Sequence, residues 1–213
     1  VKLADMVHHI AAVRRGAPRA YVIGDLPYAT YETPEQALES ARDLRRAGAD
    51  CIKFEGARPD VVRALKGAGF DVCCHIGLES QHQVEKRRQG KTARAAAKLV
   101  ADALELDAAG QDFLVLELVP QEVAARITSR LRAVTIGIGA GAECDAQVLV
   151  VNDLVALGER EFKHNRRYAE LGKTLREAVA AFAGDVRAGR FPADEHAFRM
   201  APDERAAFEK DVQ

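Results

Sequence analysis

One pattern constrains this chain more than any other: short aliphatic runs alternate with stretches whose apolar residues recur at helical spacing. Residues 20–23, 51–54, 71–76, 113–119, 134–138 and 147–151 read as strands, and helical patterns separate most of them. Strands that alternate with helices run parallel and are joined by right-handed crossovers, so helices cover the sheet. The pattern predicts an α/β domain. At 213 residues, with 48% of them hydrophobic, the chain suits one barrel-like α/β domain with a substantial core.

The helices carry their own punctuation. Residues 2–15 place Leu3, Met6, Val7, Ile10 and Val13 on one face, and Arg14, Arg15 and Gly16 end it with cations and a stop. Thr33 is positioned to cap the next helix, with Pro34 as its first residue and Gln36 completing a capping box. Its apolar face is Ala37, Leu38, Ala41 and Leu44, up to Gly48. Residues 60–66, 93–109 and 121–131 supply further helices, and 167–187 carry Leu171, Leu175, Val179, Phe182 and Val186 on one stripe. Residues 79–92 are polar, basic and aperiodic, a loop able to form a lid. Residues 191–198 read as an irregular tail.

The strand FLVLELVP, residues 113–120, is buried by its pattern yet holds one carboxylate, Glu117, near its C-terminal end. An unpaired buried carboxylate is costly, so such a group neutralises, pairs or meets a metal, unless it lies just outside the strand in solvent. Three other strands also end in polar groups: Asp25, the pair Lys53 and Glu55, and His75. In parallel α/β folds these ends share one rim, so the groups converge from distant parts of the sequence. Lys53 and Glu55, two apart on a strand, fall on one side of it. Three acids and a lysine invite a hard cation such as Mg²⁺, which takes carboxylate, water and substrate oxygens, rather than zinc. Each residue also has a plainer use: Asp25 in a turn, Lys53 with Glu55 as a structural ion pair, His75 as a satisfied strand-end histidine.

Charge and cysteines narrow the class. Lys plus Arg (31) nearly cancels Asp plus Glu (32), so there is no electrostatic case for nucleic acid or an anionic membrane. Cys51, Cys73, Cys74 and Cys144 lack C-x-x-C spacing and read as buried free thiols in a reducing, cytoplasmic setting. No apolar run has membrane-helix length and the opening residues lack a signal-peptide apolar region, so a cytoplasmic protein is expected. The glycines of Gly137-Ile138-Gly139-Ala140-Gly141 lack the dinucleotide fingerprint and serve tight packing equally well.

In order and spacing, several segments resemble the ketopantoate (3-methyl-2-oxobutanoate) hydroxymethyltransferase family. They are Met6-Val7-His8-His9, Gly24-Asp25-Leu26-Pro27-Tyr28, Ile52-Lys53-Phe54-Glu55-Gly56, His75-Ile76-Gly77-Leu78, Val115-Leu116-Glu117-Leu118-Val119-Pro120 and Phe191-Pro192 with Glu195-His196. The resemblance implies a (β/α)8 TIM barrel of the phosphoenolpyruvate mutase and isocitrate lyase kind. It also implies a homo-oligomer, usually a decamer, and transfer of a hydroxymethyl group from 5,10-methylenetetrahydrofolate to 2-oxoisovalerate with Mg²⁺, in pantothenate biosynthesis. Asp25 matches a metal-binding and substrate-site aspartate, Glu55 the acid near the metal and its waters, Lys53 and His75 substrate-binding positions, and Glu117 the base.

Departures temper the match. The family carries about two more strands and a Gly-Asp-Ser metal motif ahead of the point where this chain opens, so residues 1–213 are expected to be one N-terminally incomplete barrel domain. Gln83-Val84-Glu85-Lys86-Arg87-Arg88 stands where the family has a Gly-Gly-Tyr stretch, and Cys74, Leu118 and Ala146 replace a common Gly, Cys and Gly. Two alternatives follow: aldol or C–C lyase chemistry on another 2-oxoacid, and a non-catalytic relative serving as a binding or assembly protein.

Overall fold

The computed structural model describes residues 1–81, 88–158 and 161–212. The chain separates into two compact units, Val1–Leu149 and Val150–Gln213. In the first, the described residues form one six-stranded parallel sheet in the order β1-β2-β3-β4-β5-β6. The strands are β1 (Ile23–Asp25), β2 (Cys51–Glu55), β3 (Asp71–Gly77), β4 (Phe113–Glu117), β5 (Val134–Ile138) and β6 (Ala146–Gln147). Helices α1 (Leu3–Gly16), α2 (Pro34–Ala47), α3 (Pro59–Gly67), α4 (Ala93–Ala109) and α5 (Gln121–Thr128) precede or connect them.

Side chains alternate along each strand, which gives the sheet two different apolar faces. Ile52, Phe54, Val72, Cys74, Ile76, Leu114 and Leu116 pack with helical residues such as Ala41, Leu44, Val61, Leu65, Leu106 and Ile127 in the main core. Burying each large aliphatic or aromatic side chain stabilises the fold by roughly 1.5–3 kcal/mol. On the opposite face a smaller cluster joins Cys51, Cys73 and Val115 to Ile23, Phe113, Ile136 and Ile138. The odd-numbered positions Asp25, Lys53, Glu55, His75 and Glu117 continue this second face towards the strands' C-terminal ends. All four cysteines are buried free thiols.

At the opposite, N-terminal end of the strands, carboxylates clasp strand backbones. Asp50 accepts from the Val22 N–H at 2.8 Å and Asp112 from the Val72 N–H at 2.8 Å, while Lys66 donates to both Asp112 oxygens. Asp145 accepts from the Thr135 N–H and hydroxyl, each at 2.8 Å. Buried Asp107 accepts from the Arg132 and Ala133 N–H groups, each at 3.0 Å.

Several expected boundaries shift. β1 runs to Asp25, so that acid closes the strand instead of following it. β4 stops at Glu117 because Leu118 turns into the left-handed region at φ +50°, and α5 stops at Thr128. Of the expected strand 147–151 only Gln147 is a strand residue, paired through β6, and Val151 opens a short helix, α6 (Val151–Leu154). The Thr33 hydroxyl does accept from the Gln36 N–H, but the Gln36 side chain reaches back to the Glu32 N–H and the Ala29 carbonyl, so only half of the expected box forms. Of the glycines at 137, 139 and 141, Gly141 is the one that close packing requires: a Cβ there would lie 2.4 Å from Gln121 Cβ. In the second unit, α7 (Leu171–Arg187) begins four residues later than expected. The irregular tail contains a 3-10 turn, Asp194–His196, and the following helix α8 (Pro202–Asp211) was not anticipated. The core of the expected lid, residues 82–87, lies outside the described residues.

Candidate active site

Sheet register explains why the polar strand ends meet. Asp25 lies beside Lys53 and Lys53 beside Cys73. One level higher, Glu55 lies beside His75, and His75 beside Val115. Glu117 stands one level higher again, beside Gly77 and Ile138. The acids and bases therefore climb the sheet in steps of two residues, on one face.

Two groups result. In the first, the Lys53 ammonium donates to Asp25 Oδ2 at 2.9 Å, with side-chain exposures of 16% and 41%. Burial pulls the Lys53 pKa down, but its neighbours together, the Asp25 carboxylate foremost, outweigh it and leave the ammonium above its ordinary value. In the second, His75 is lodged between two carboxylates, with Nε2 3.1 Å from Glu117 Oε2 and Nδ1 3.6 Å from Glu55 Oε1. His75 and Glu55 are buried, whereas the Glu117 side chain keeps 21% of its surface open. Both ring nitrogens lie close to carboxylate oxygens, yet neither meets a partner at hydrogen-bonding angles.

Glu55 is held from the far side as well. Its Oε1 accepts from the Ser80 hydroxyl at 3.0 Å and its Oε2 from the Gln81 N–H at 2.8 Å. Sequence periodicity did not single out these two residues, since they sit in a polar, aperiodic stretch. Close backbone approach shapes the rim at one further point. Gly77, at φ +101°, lies so near β4 that a Cβ would meet the Glu117 carbonyl oxygen at 2.2 Å and Val119 Cγ1 at 2.8 Å. Only glycine fits. Leu118, directly after Glu117, holds a left-handed conformation uncommon for leucine, and its N–H donates to the Ile138 carbonyl at 2.9 Å. Among the described residues, no cluster of three or more His, Cys, Asp or Glu side chains forms a ready metal cage.

Known proteins supply the context. The sequence profile of ketopantoate hydroxymethyltransferase matches residues 1–194. The chain belongs to the ketopantoate hydroxymethyltransferase family. It is 49% identical over 214 residues to the 3-methyl-2-oxobutanoate hydroxymethyltransferase of Chloroflexus aurantiacus (strain ATCC 29366 / DSM 635 / J-10-fl), covering 97% of this chain and 76% of the relative. The enzyme of the same name from Desulfotalea psychrophila is 42% identical, covering 100% of this chain and 79% of the relative. Among solved structures, a candidate phosphonomutase from Burkholderia cenocepacia J2315 superposes with a TM-score of 0.53 at 17% identity, over 88% of this chain and 76% of the other. A candidate lyase/mutase from the same organism gives 0.51 at 19% identity, over 98% and 76%. Those likenesses concern the fold, and they agree with the barrel class expected for the family. No helix among the described residues is long and apolar enough to cross a membrane.

Proposed function

We propose that this family member transfers a hydroxymethyl group from 5,10-methylenetetrahydrofolate to 2-oxoisovalerate, forming ketopantoate for pantothenate biosynthesis, with Glu117 as the base. The observation that carries the reading is the Glu117 carboxylate at the end of β4, 3.1 Å from a buried imidazole and still partly open to the rim. The C3 proton of a 2-oxoacid is acidified by the neighbouring carbonyl, so a positioned carboxylate suffices to remove it. The carbanion equivalent at C3 then forms a bond to the one-carbon unit, tetrahydrofolate departs, and one water supplies the hydroxyl oxygen. Lys53, cationic at neutral pH, offsets the substrate carboxylate's charge and fixes Asp25. His75 faces Glu117 from the core and limits the directions that carboxylate can take.

The donor set fits a hydrated Mg²⁺ better than a closed protein cage. Asp25 offers one partly exposed rim carboxylate, and Mg²⁺ characteristically keeps several waters and leans on one or two carboxylates with substrate oxygens. Asp25 would hold the ion. Glu55, whose oxygens already serve Ser80 and Gln81, would act on its water shell. When bound, the metal supplies Lewis-acid neutralisation of charge developing on the 2-oxoacid. The reading includes a cytoplasmic homo-oligomer, a decamer by family resemblance.

The test is an assay with 2-oxoisovalerate, methylenetetrahydrofolate and Mg²⁺. Ketopantoate and tetrahydrofolate should appear in equal amounts. No product, or C–C chemistry that proceeds without the folate, contradicts the reading.

A further inference from the structure

We propose that Gln81 is a positioning residue that locks the Asp25–Lys53 pair to the Glu55–His75–Glu117 chain. Its backbone N–H donates to Glu55 Oε2 at 2.8 Å. Its side-chain Oε1 accepts a hydrogen bond from the Tyr31 hydroxyl at 3.1 Å, and its Nε2 donates to the Leu26 carbonyl at 3.1 Å. Tyr31 and Leu26 are buried. Leu26 directly follows Asp25, and its own N–H donates to the Lys53 carbonyl at 2.8 Å. One residue therefore holds the loop that follows β1, the approach to α2 and the carboxylate that ends β2.

The chemistry fixes the orientation. A tyrosine hydroxyl here donates and a peptide carbonyl can only accept, so the two partners demand an amide with its oxygen towards Tyr31 and its nitrogen towards Leu26. A carboxylate cannot meet the second demand, and an apolar side chain meets neither. Ser80 completes the grip on Glu55 from the same turn, donating at 3.0 Å. Position matters because misplacing a reacting group by about 1 Å can cost on the order of 10²-fold in rate. Gln81 touches none of the residues assigned to proton removal, so its effect passes through Glu55 and the Leu26 backbone.

This inference rests on the proposed transferase reading, and the experiment separates the two. Gln81→Met keeps the side chain's length and removes both amide bonds. In the full chain it should lower kcat roughly tenfold or more while KM for the 2-oxoacid moves less than about threefold. Tyr31→Phe removes a single bond and should cost about two- to threefold. The double variant should be no slower than Gln81→Met alone, because both changes break one clamp. Backbone hydrogen exchange at Leu26 should accelerate about tenfold in Gln81→Met, a readout independent of turnover. A kcat within twofold of wild type, or fully additive losses, overturns the proposal. If the wild type makes no product, the function reading fails, and exchange alone then decides: an unchanged Leu26 rate overturns the clamp, a faster one upholds it. If Gln81→Met does not fold, Tyr31→Phe carries the test: wild-type Leu26 exchange overturns the proposal, and a lower kcat with faster Leu26 exchange upholds it.

Discussion

Carboxylates line both ends of this parallel sheet, and the two sets behave differently. At the N-terminal end, Asp50, Asp107, Asp112 and Asp145 each accept a backbone N–H at a strand start or just before it, and three of them have a cationic side chain beside them. Hydrogen bonds from Val22 and Thr135 hold the Asp50 and Asp145 carboxyls below the ordinary range. At the C-terminal end, Glu55 and Glu117 flank one imidazole and Asp25 meets one lysine. An acid whose lone pairs are spent on backbone holds strands in place. An acid that shares a buried histidine and keeps an open edge is available for chemistry.

The contrast is sharpest for Glu117→Gln, which should lower turnover roughly 10³-fold, within the range general-base catalysis contributes, while thermal stability and KM change little. Steady-state kinetics and a thermal melt together check it. Next is Asp25→Asn. It removes the rim carboxylate and lets burial dominate at Lys53, so turnover should fall about 10²-fold and need more Mg²⁺, read by titrating the metal in the assay. Asp107→Ala at the other end should reverse the pattern. It strands the Arg132 and Ala133 N–H groups and should cost about 2 kcal/mol, lowering Tm by roughly 5 °C with kcat intact.

The smallest effect concerns pH. Asp145 has a lowered folded pKa, so its stabilisation is fully present above its unfolded value near 3.9 and disappears as the pH falls through the folded one. Urea unfolding at a series of pH values between about 5 and 2 should give wild type a steeper loss than Asp145→Asn. The variant should be less stable at pH 7. Equal slopes would remove Asp145 from the structural set.

Much of this was legible in the sequence, for physical reasons. A parallel sheet forces its strand ends to one rim, so polar residues that close successive aliphatic runs had to converge. β5 and α4 were bounded correctly because Val134-Thr135-Ile136 and the Thr92 cap with Gly110 are strong local signals. Residues 147–151 misled because Val148, Leu149, Val150 and Val151 look like a strand, yet only Gln147 of that run joins the ladder and Val151 begins a helix. The part of the site that periodicity could not supply is its bracing. Ser80 and Gln81 reach Glu55 across 25 and 26 residues, and no local pattern reports such a contact. Likewise the Lys53 partner is Asp25 on the neighbouring strand, a choice made by register.

The most direct measurement of the Glu117 assignment is deuterium wash-in at C3 of 2-oxoisovalerate in D2O with Mg²⁺ and without folate, comparing wild type with Glu117→Gln. Wild type should exchange the C3 proton, and the variant should fall to background while still binding the 2-oxoacid. Exchange by the variant within a few-fold of wild type would contradict Glu117 as the base.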